Sequence, residues 1–165
     1  MVLNSRTLVS VLVDEHHRIM STIEDLLDGD AASSERRTRL AEQTYELLDR
    51  HVCAEQRYLY PSVRSARPDG DRVVELTFEQ NRDLLNHAKR LSYVDQSEDF
   101  TELLHEVDTL VRRHVYLCSM ELFPPLVAIS AKPRSRSDLL VGWASYPPRR
   151  KASRRTRRVR RTRAR

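Results

Sequence analysis

The sequence predicts an all-α protein, an up-down antiparallel four-helix bundle with a basic C-terminal tail. Three observations carry that expectation. Gly is scarce, at 3 of 165 residues, while Leu, Glu and Arg are abundant, which favours helix over sheet. Apolar residues recur at helical spacing in four segments. The chain also repeats itself. His51-Val52 leads to Leu59-Tyr60-Pro61, and His114-Val115 leads to Leu122-Phe123-Pro124, with 63 residues between the copies.

The first segment spans about 5–28, where Leu8, Leu12, His16, Ile19, Ile23 and Leu26 form one stripe that ends near Gly29. The second spans about 34–66. Ser33 or Ser34 can cap it, Leu40, Leu47, Leu48, His51, Glu55 and Leu59 mark its inner side, and Pro61 is expected to kink it or end its regular part. Pro68-Asp69-Gly70 is a turn signal. The third segment spans about 71–93, with Val73, Val74, Leu84, Leu85, Ala88 and Leu91 on one side. The fourth spans about 98–128 and meets Pro124-Pro125 near its end. The first and third segments match at an offset of 65, Ile19 falling on Leu84, Leu26 on Leu91, His16 on Asn81 and Glu15 on Gln80. Two similar helix pairs with short connections imply sequential antiparallel neighbours.

Charge divides the chain. Residues 132–165 hold 14 Lys and Arg against a single acid, Asp138, while the other 131 residues hold 15 basic and 23 acidic side chains, a net −8. The expected domains are therefore a bundle over 1–130 and an Arg-rich, disordered tail over 131–165. The acidic part is unsuited to nucleic acid by bulk charge. The tail can take nucleic acid or an acidic partner, or can be solvated without a role. Two Cys make no disulfide framework and suit a reducing compartment. Asn4, Ser5 and Arg6 interrupt any leader-like run, and no apolar stretch approaches the roughly 20 residues of a membrane span. A cytoplasmic protein without membrane attachment is expected.

Three helices each place one His inside an apolar stripe: His16, His51 and His114. Burying an imidazole without a partner costs on the order of 1–3 kcal/mol, and one shared ion accounts for three at matching depth. Glu55, four residues after His51, lies on the same helix face and adds a carboxylate. Such nitrogen and oxygen donors suit iron, zinc or manganese.

Glu15-His16-x-x-Ile19, His51-x-x-x-Glu55 before Leu59-Tyr60-Pro61, and His114 before Leu122-Phe123-Pro124 together resemble the hemerythrin-like (HHE cation-binding) domain, over about residues 5–128. The resemblance implies a non-haem di-iron centre inside the bundle. His16, His51 and His114 match the family's ligand histidines, and Glu55 matches its first bridging carboxylate. Two places depart from the pattern. The third helix offers Gln80-Asn81 where the family has an acid and a His, and Cys118 stands where a second Glu is usual. Asn81, Gln80, His87, Cys118 and Glu121 are the candidate replacements, Cys118 as a thiolate that would favour zinc or iron. A single iron or zinc ion is the alternative to the pair. The implied function is to bind, sense or detoxify oxygen, nitric oxide or hydrogen peroxide. A peroxide-decomposing activity is compatible with that, but no acid-base pair marks an enzyme. The alternative is a degenerate or single-metal bundle acting as a structural or interaction module, through its exterior or its tail. The sequence does not specify an oligomeric state.

Overall fold

The computed structural model describes residues 8–29, 33–94 and 98–130. The basic tail, and the disorder expected of it, lie outside these residues. Among them every regular element is a helix: α1 (Leu8–Leu27), α2 (Ser34–Ala54), α3 (Tyr60–Ala66), α4 (Gly70–Leu91), α5 (Glu98–Leu117) and α6 (Phe123–Ser130). α2 runs into α3, and α5 into α6, through two widened five-residue turns, Glu55–Leu59 and Cys118–Leu122. The result is four rods. α1 packs on α2 and α5, and α4 packs on the same two, so the rods close a ring in up-down order. None of these helices is long and apolar enough to cross a membrane.

Both rods run through their prolines. The regular α-helix of the second gives way to the wide turn Glu55–Leu59 shortly before Pro61, and the rod then continues to Ala66; the fourth passes Pro124-Pro125 to Ser130, close to the end expected at about 128. A proline inside a helix lacks the N–H for one rung and presses its ring on a carbonyl one turn back. Here the strain is taken up just upstream. The Tyr60 N–H reaches the Glu55 carbonyl five residues back, and the Phe123 N–H likewise reaches that of Cys118. Each wide turn thus ends two residues before its proline. Each begins at a position the repeat makes equivalent, Glu55 or Cys118, and such widened turns often sit at functional sites.

The repeat is visible in what is buried. Leu8, Leu12, His16, Ile19, Ile23 and Leu26 of α1 correspond to Val73, Thr77, Asn81, Leu84, Ala88 and Leu91 of α4, and all twelve are buried. The core has two apolar parts. One gathers Ile19, Ile23, Leu48, Leu84, Leu91, Phe100 and Val107; the other gathers Leu8, Leu12, Leu59, Val63, Val74, Leu122 and Leu126. Between them lies a layer of buried polar side chains: Glu15, His16, His51, Glu55, Asn81 and His114. The flanking Thr44 and Thr77 are satisfied locally, their hydroxyls donating to the Leu40 and Val73 carbonyls one turn back.

The turn before α4 is tight for a definite reason. A Cβ on Gly70 would stand 2.7 Å from both the Arg64 Cα and the Val63 carbonyl oxygen. Both are backbone atoms, so no side chain can yield. Gly70→Ala is expected to cost about 1–3 kcal/mol through forced separation of α3 and α4, read as a lower urea midpoint at unchanged slope.

Candidate metal centre

Three helices aim an imidazole at one point. His16 Nε2 lies 3.0 Å from His51 Nε2 and 3.1 Å from His114 Nε2, and the last two are 3.3 Å apart. Glu55 Oε1 closes the group at 3.4 Å from His51 Nε2 and 3.5 Å from His114 Nε2. All four residues are buried, and their four donor atoms lie within 4.8 Å of one another. Helix periodicity explains the convergence. Glu55 is one turn after His51, so both face inward from the same rod. His16 and His114 come from the two ends of the ring's remaining contact, α1 against α5.

Hydrogen bonds alone cannot satisfy this group. A triangle of three ring nitrogens has room for few hydrogens, and any nitrogen without one turns a lone pair toward the others. A cation resolves it. Nitrogens bound to one ion at about 2.0–2.1 Å, with ligand angles of about 90–109°, would be about 2.8–3.4 Å apart. The observed 3.0–3.3 Å falls inside that span. These residues therefore fit a metal ion.

The surroundings orient the donors. His51 Nδ1 donates to Glu15 Oε2 at 3.0 Å, which directs its Nε2 to the centre. Arg50 Nη2 donates to the other Glu15 oxygen at 3.1 Å. The Phe123 ring stacks on His16 at 5.8 Å between centroids. On the far side of Glu55, Asn81 Nδ2 donates to Oε2 at 2.8 Å and to the Tyr60 hydroxyl oxygen at 2.9 Å. The Cys118 thiol donates to Glu55 Oε1 at 3.3 Å and lies 3.6 Å from His114 Nε2.

Without metal, burial and mutual repulsion set the charges. Burial, with His51 and His114 nearby, pushes His16 down to about 2. Burial also lowers His114. Burial opposes protonation of His51 too, but the carboxylates of Glu55 and Glu15 outweigh it and push it up to about 9. Burial would raise Glu55, yet His114 and His51 hold it well below the usual carboxylate range. Burial and Glu55 drive the Cys118 thiol upward, so it stays protonated. One proton on His51 is then the cation the metal-free layer holds.

The signs give a pH profile. His16 and His114 have lowered values, so their contribution is complete above the usual value near 6.5 and is lost as pH falls below it. His51 has a raised value, so its contribution is complete below 6.5 and is lost as pH rises through about 9. The melting temperature of metal-free protein is expected to peak near neutrality, about pH 6–7, and to fall on both sides. Circular dichroism melts from pH 5 to 9 check this. A flat profile would contradict the charge assignment.

The candidates named from sequence separate clearly. His16, His51, Glu55 and His114 come together, and Asn81 and Cys118 border them. Gln80 is half-buried with an unpartnered side-chain oxygen. Glu121 is turned to Arg67, whose Nη1 donates to its carboxylate at 2.9 Å and its carbonyl at 3.0 Å. His87 faces outward, donating from Nδ1 to the Asp83 carbonyl and standing 3.6 Å from Glu106. Glu121 and His87 are therefore not in the cluster, each being held by partners away from it. From sequence neither Glu15 nor Tyr60 is placed in the site, whereas the structure puts Glu15 on His51 and Tyr60 on Asn81. The available signal for Glu15 was its place beside an inward His, about 100° round the helix and thus toward α2.

The hemerythrin HHE cation-binding domain model matches residues 7–126. No curated protein and no solved structure matches the chain. The match covers all four rods and every residue of the buried polar layer, and the His/Glu cluster is what a cation-binding domain requires. The chain belongs to the hemerythrin HHE cation-binding family.

Proposed function

We propose that this protein binds non-haem iron through His16, His51, His114 and Glu55, and binds, senses or detoxifies a small oxidant or gas. The observation that carries the reading is the convergence of three buried Nε2 atoms and one carboxylate oxygen. Iron in such a donor set supplies a redox-active Lewis acid able to accept a small ligand. The protein's own residues do the rest. Glu55 offsets part of the ion's charge. Glu15 holds His51 in the tautomer that leaves Nε2 free. The two apolar clusters above and below the layer exclude bulk water and favour entry of small, weakly polar species such as oxygen, nitric oxide or hydrogen peroxide. Cys53 and Cys118 are free thiols, in keeping with a reducing, cytoplasmic setting.

The test is elemental analysis of the natively purified full chain, followed by anaerobic exposure of the ferrous form to nitric oxide. Bound iron with new visible and paramagnetic-resonance bands on exposure supports the reading. Failure to retain iron after reconstitution would sink it and leave an interaction module as the alternative. Glu15→Gln keeps the shape but weakens the acceptor for His51, and is expected to lower metal affinity roughly 10–100-fold, measured by competition with a chromophoric chelator.

A further inference from the structure

A carboxylate that bridges two ions uses one oxygen for each. Glu55 turns only one oxygen to the histidines, and the donor that meets it there is the weak Cys118 S–H. Oε1 faces His51 and His114 at 3.4 and 3.5 Å. Oε2 accepts the Asn81 Nδ2–H at 2.8 Å. An amide N–H is a donor with no lone pair to offer a metal, and its hydrogen occupies the direction a second ion would need.

Two observations fix the amide in that orientation. Nδ2 also donates to the Tyr60 hydroxyl at 2.9 Å, so one amide group serves both neighbours. Asn81 Oδ1 meanwhile is buried with no partner. Turning the amide over would set Oδ1 against the Glu55 carboxylate, oxygen to oxygen. The fold thus accepts an orphaned carbonyl in order to keep an N–H on Oε2. This corner also lacks a second carboxylate. Cys118, at the repeat position of Glu55, brings a thiol in its place, and that thiol donates to Oε1 at 3.3 Å. Among the described residues, His, Cys, Asp and Glu side chains assemble into a single candidate metal group, the four named above. One carboxylate cannot offset two divalent ions in a buried site.

We infer that this chain holds one metal ion rather than the pair its family resemblance implies, with Asn81 as the residue that closes the second position. The inference rests on the proposed iron binding by His16, His51, His114 and Glu55. It makes Asn81 a positioning residue: it orients Glu55 so that Oε1, and not Oε2, faces the histidines.

The experiment counts ions on the full chain. Protein stripped with chelator is reloaded with ferrous iron under anaerobic conditions, desalted, and assayed for iron and protein. The expected result is about one iron per chain, giving after oxidation the high-spin ferric resonance of an isolated ion that accounts for all the iron. About two irons per chain, with that resonance lost to coupling, would overturn the inference and leave the proposed function standing. No iron at all would remove the proposed function and this inference with it. Asn81→Asp replaces the amide donor with a second anion, and is expected to raise the content toward about two. A folded Asn81→Asp protein that stays at one would overturn the role given to Asn81. If that variant does not fold, the count on the unaltered chain still decides the matter.

Discussion

Replacing His51 with alanine is expected to abolish metal retention, with affinity falling by at least about 100-fold, since loss of an outer partner alone costs 10–100-fold. His51 is the hub of the buried layer. Its Nε2 lies 3.0–3.4 Å from His16, His114 and Glu55, and its Nδ1 holds Glu15. Removing it takes away a donor and also frees Glu15 to move from the site. The variant will lose stability as well, because Glu55 is fully buried and loses its nearest cationic partner, a kind of change that costs about 3–5 kcal/mol. Circular dichroism therefore accompanies elemental analysis, with His105→Ala, an exposed position on α5, as the control that keeps its metal. Full metal content in a folded His51→Ala protein would remove His51 from the ligand set.

Metal binding is expected to raise the melting temperature by on the order of 10–20 °C. An ion that binds only the folded chain, at free concentration about 1,000-fold above Kd, contributes about 4 kcal/mol, and a domain of this size gains a few degrees per kcal/mol. The structure supplies the reason. In metal-free protein the layer holds three crowded imidazoles around one proton, with His16 held neutral down to about 2. An ion gives each nitrogen a partner. Differential scanning calorimetry with and without ferrous iron, then after chelator, measures the shift and its reversal. His51→Ala should show none. An unchanged melting temperature for the unaltered chain at saturating metal would show that the layer is a hydrogen-bonded core alone.

The four rods were legible because each buries a long stripe, and a stripe of five or six apolar positions is hard to mistake. The second rod has the expected bounds, 34–66, and the third differs by only a residue or two, Gly70–Leu91 against 71–93. The repeat was legible for the same reason: equivalent positions such as Ile19 and Leu84 face equivalent cores. His16, His51 and His114 stood out because a polar residue on an apolar stripe needs a partner, and the repeat put all three at one depth. The wide turns were not legible. A proline announces that a rung is missing, but whether the helix stops, bends or widens depends on what packs beyond it. Val63 and Leu126 are buried past Pro61 and Pro124, so continuing the rod keeps apolar surface in the core.

Periodicity and repetition in the chain are local properties, and they were enough to determine an all-helical bundle, its inward histidines and Glu55 beside them. Side-chain partnership across helices is not local. It depends on how each rod is rotated and on which neighbour lies within about 3 Å, and hydrogen bonds are steep in both distance and angle. Only the tertiary structure could decide that Glu15 serves His51, that Glu121 belongs to Arg67 and His87 to Asp83 and Glu106. The same holds for Asn81, which spends its amide on Glu55 Oε2. Residues alike in type and spacing thus divide into those that reach the centre and those held elsewhere by a nearer partner.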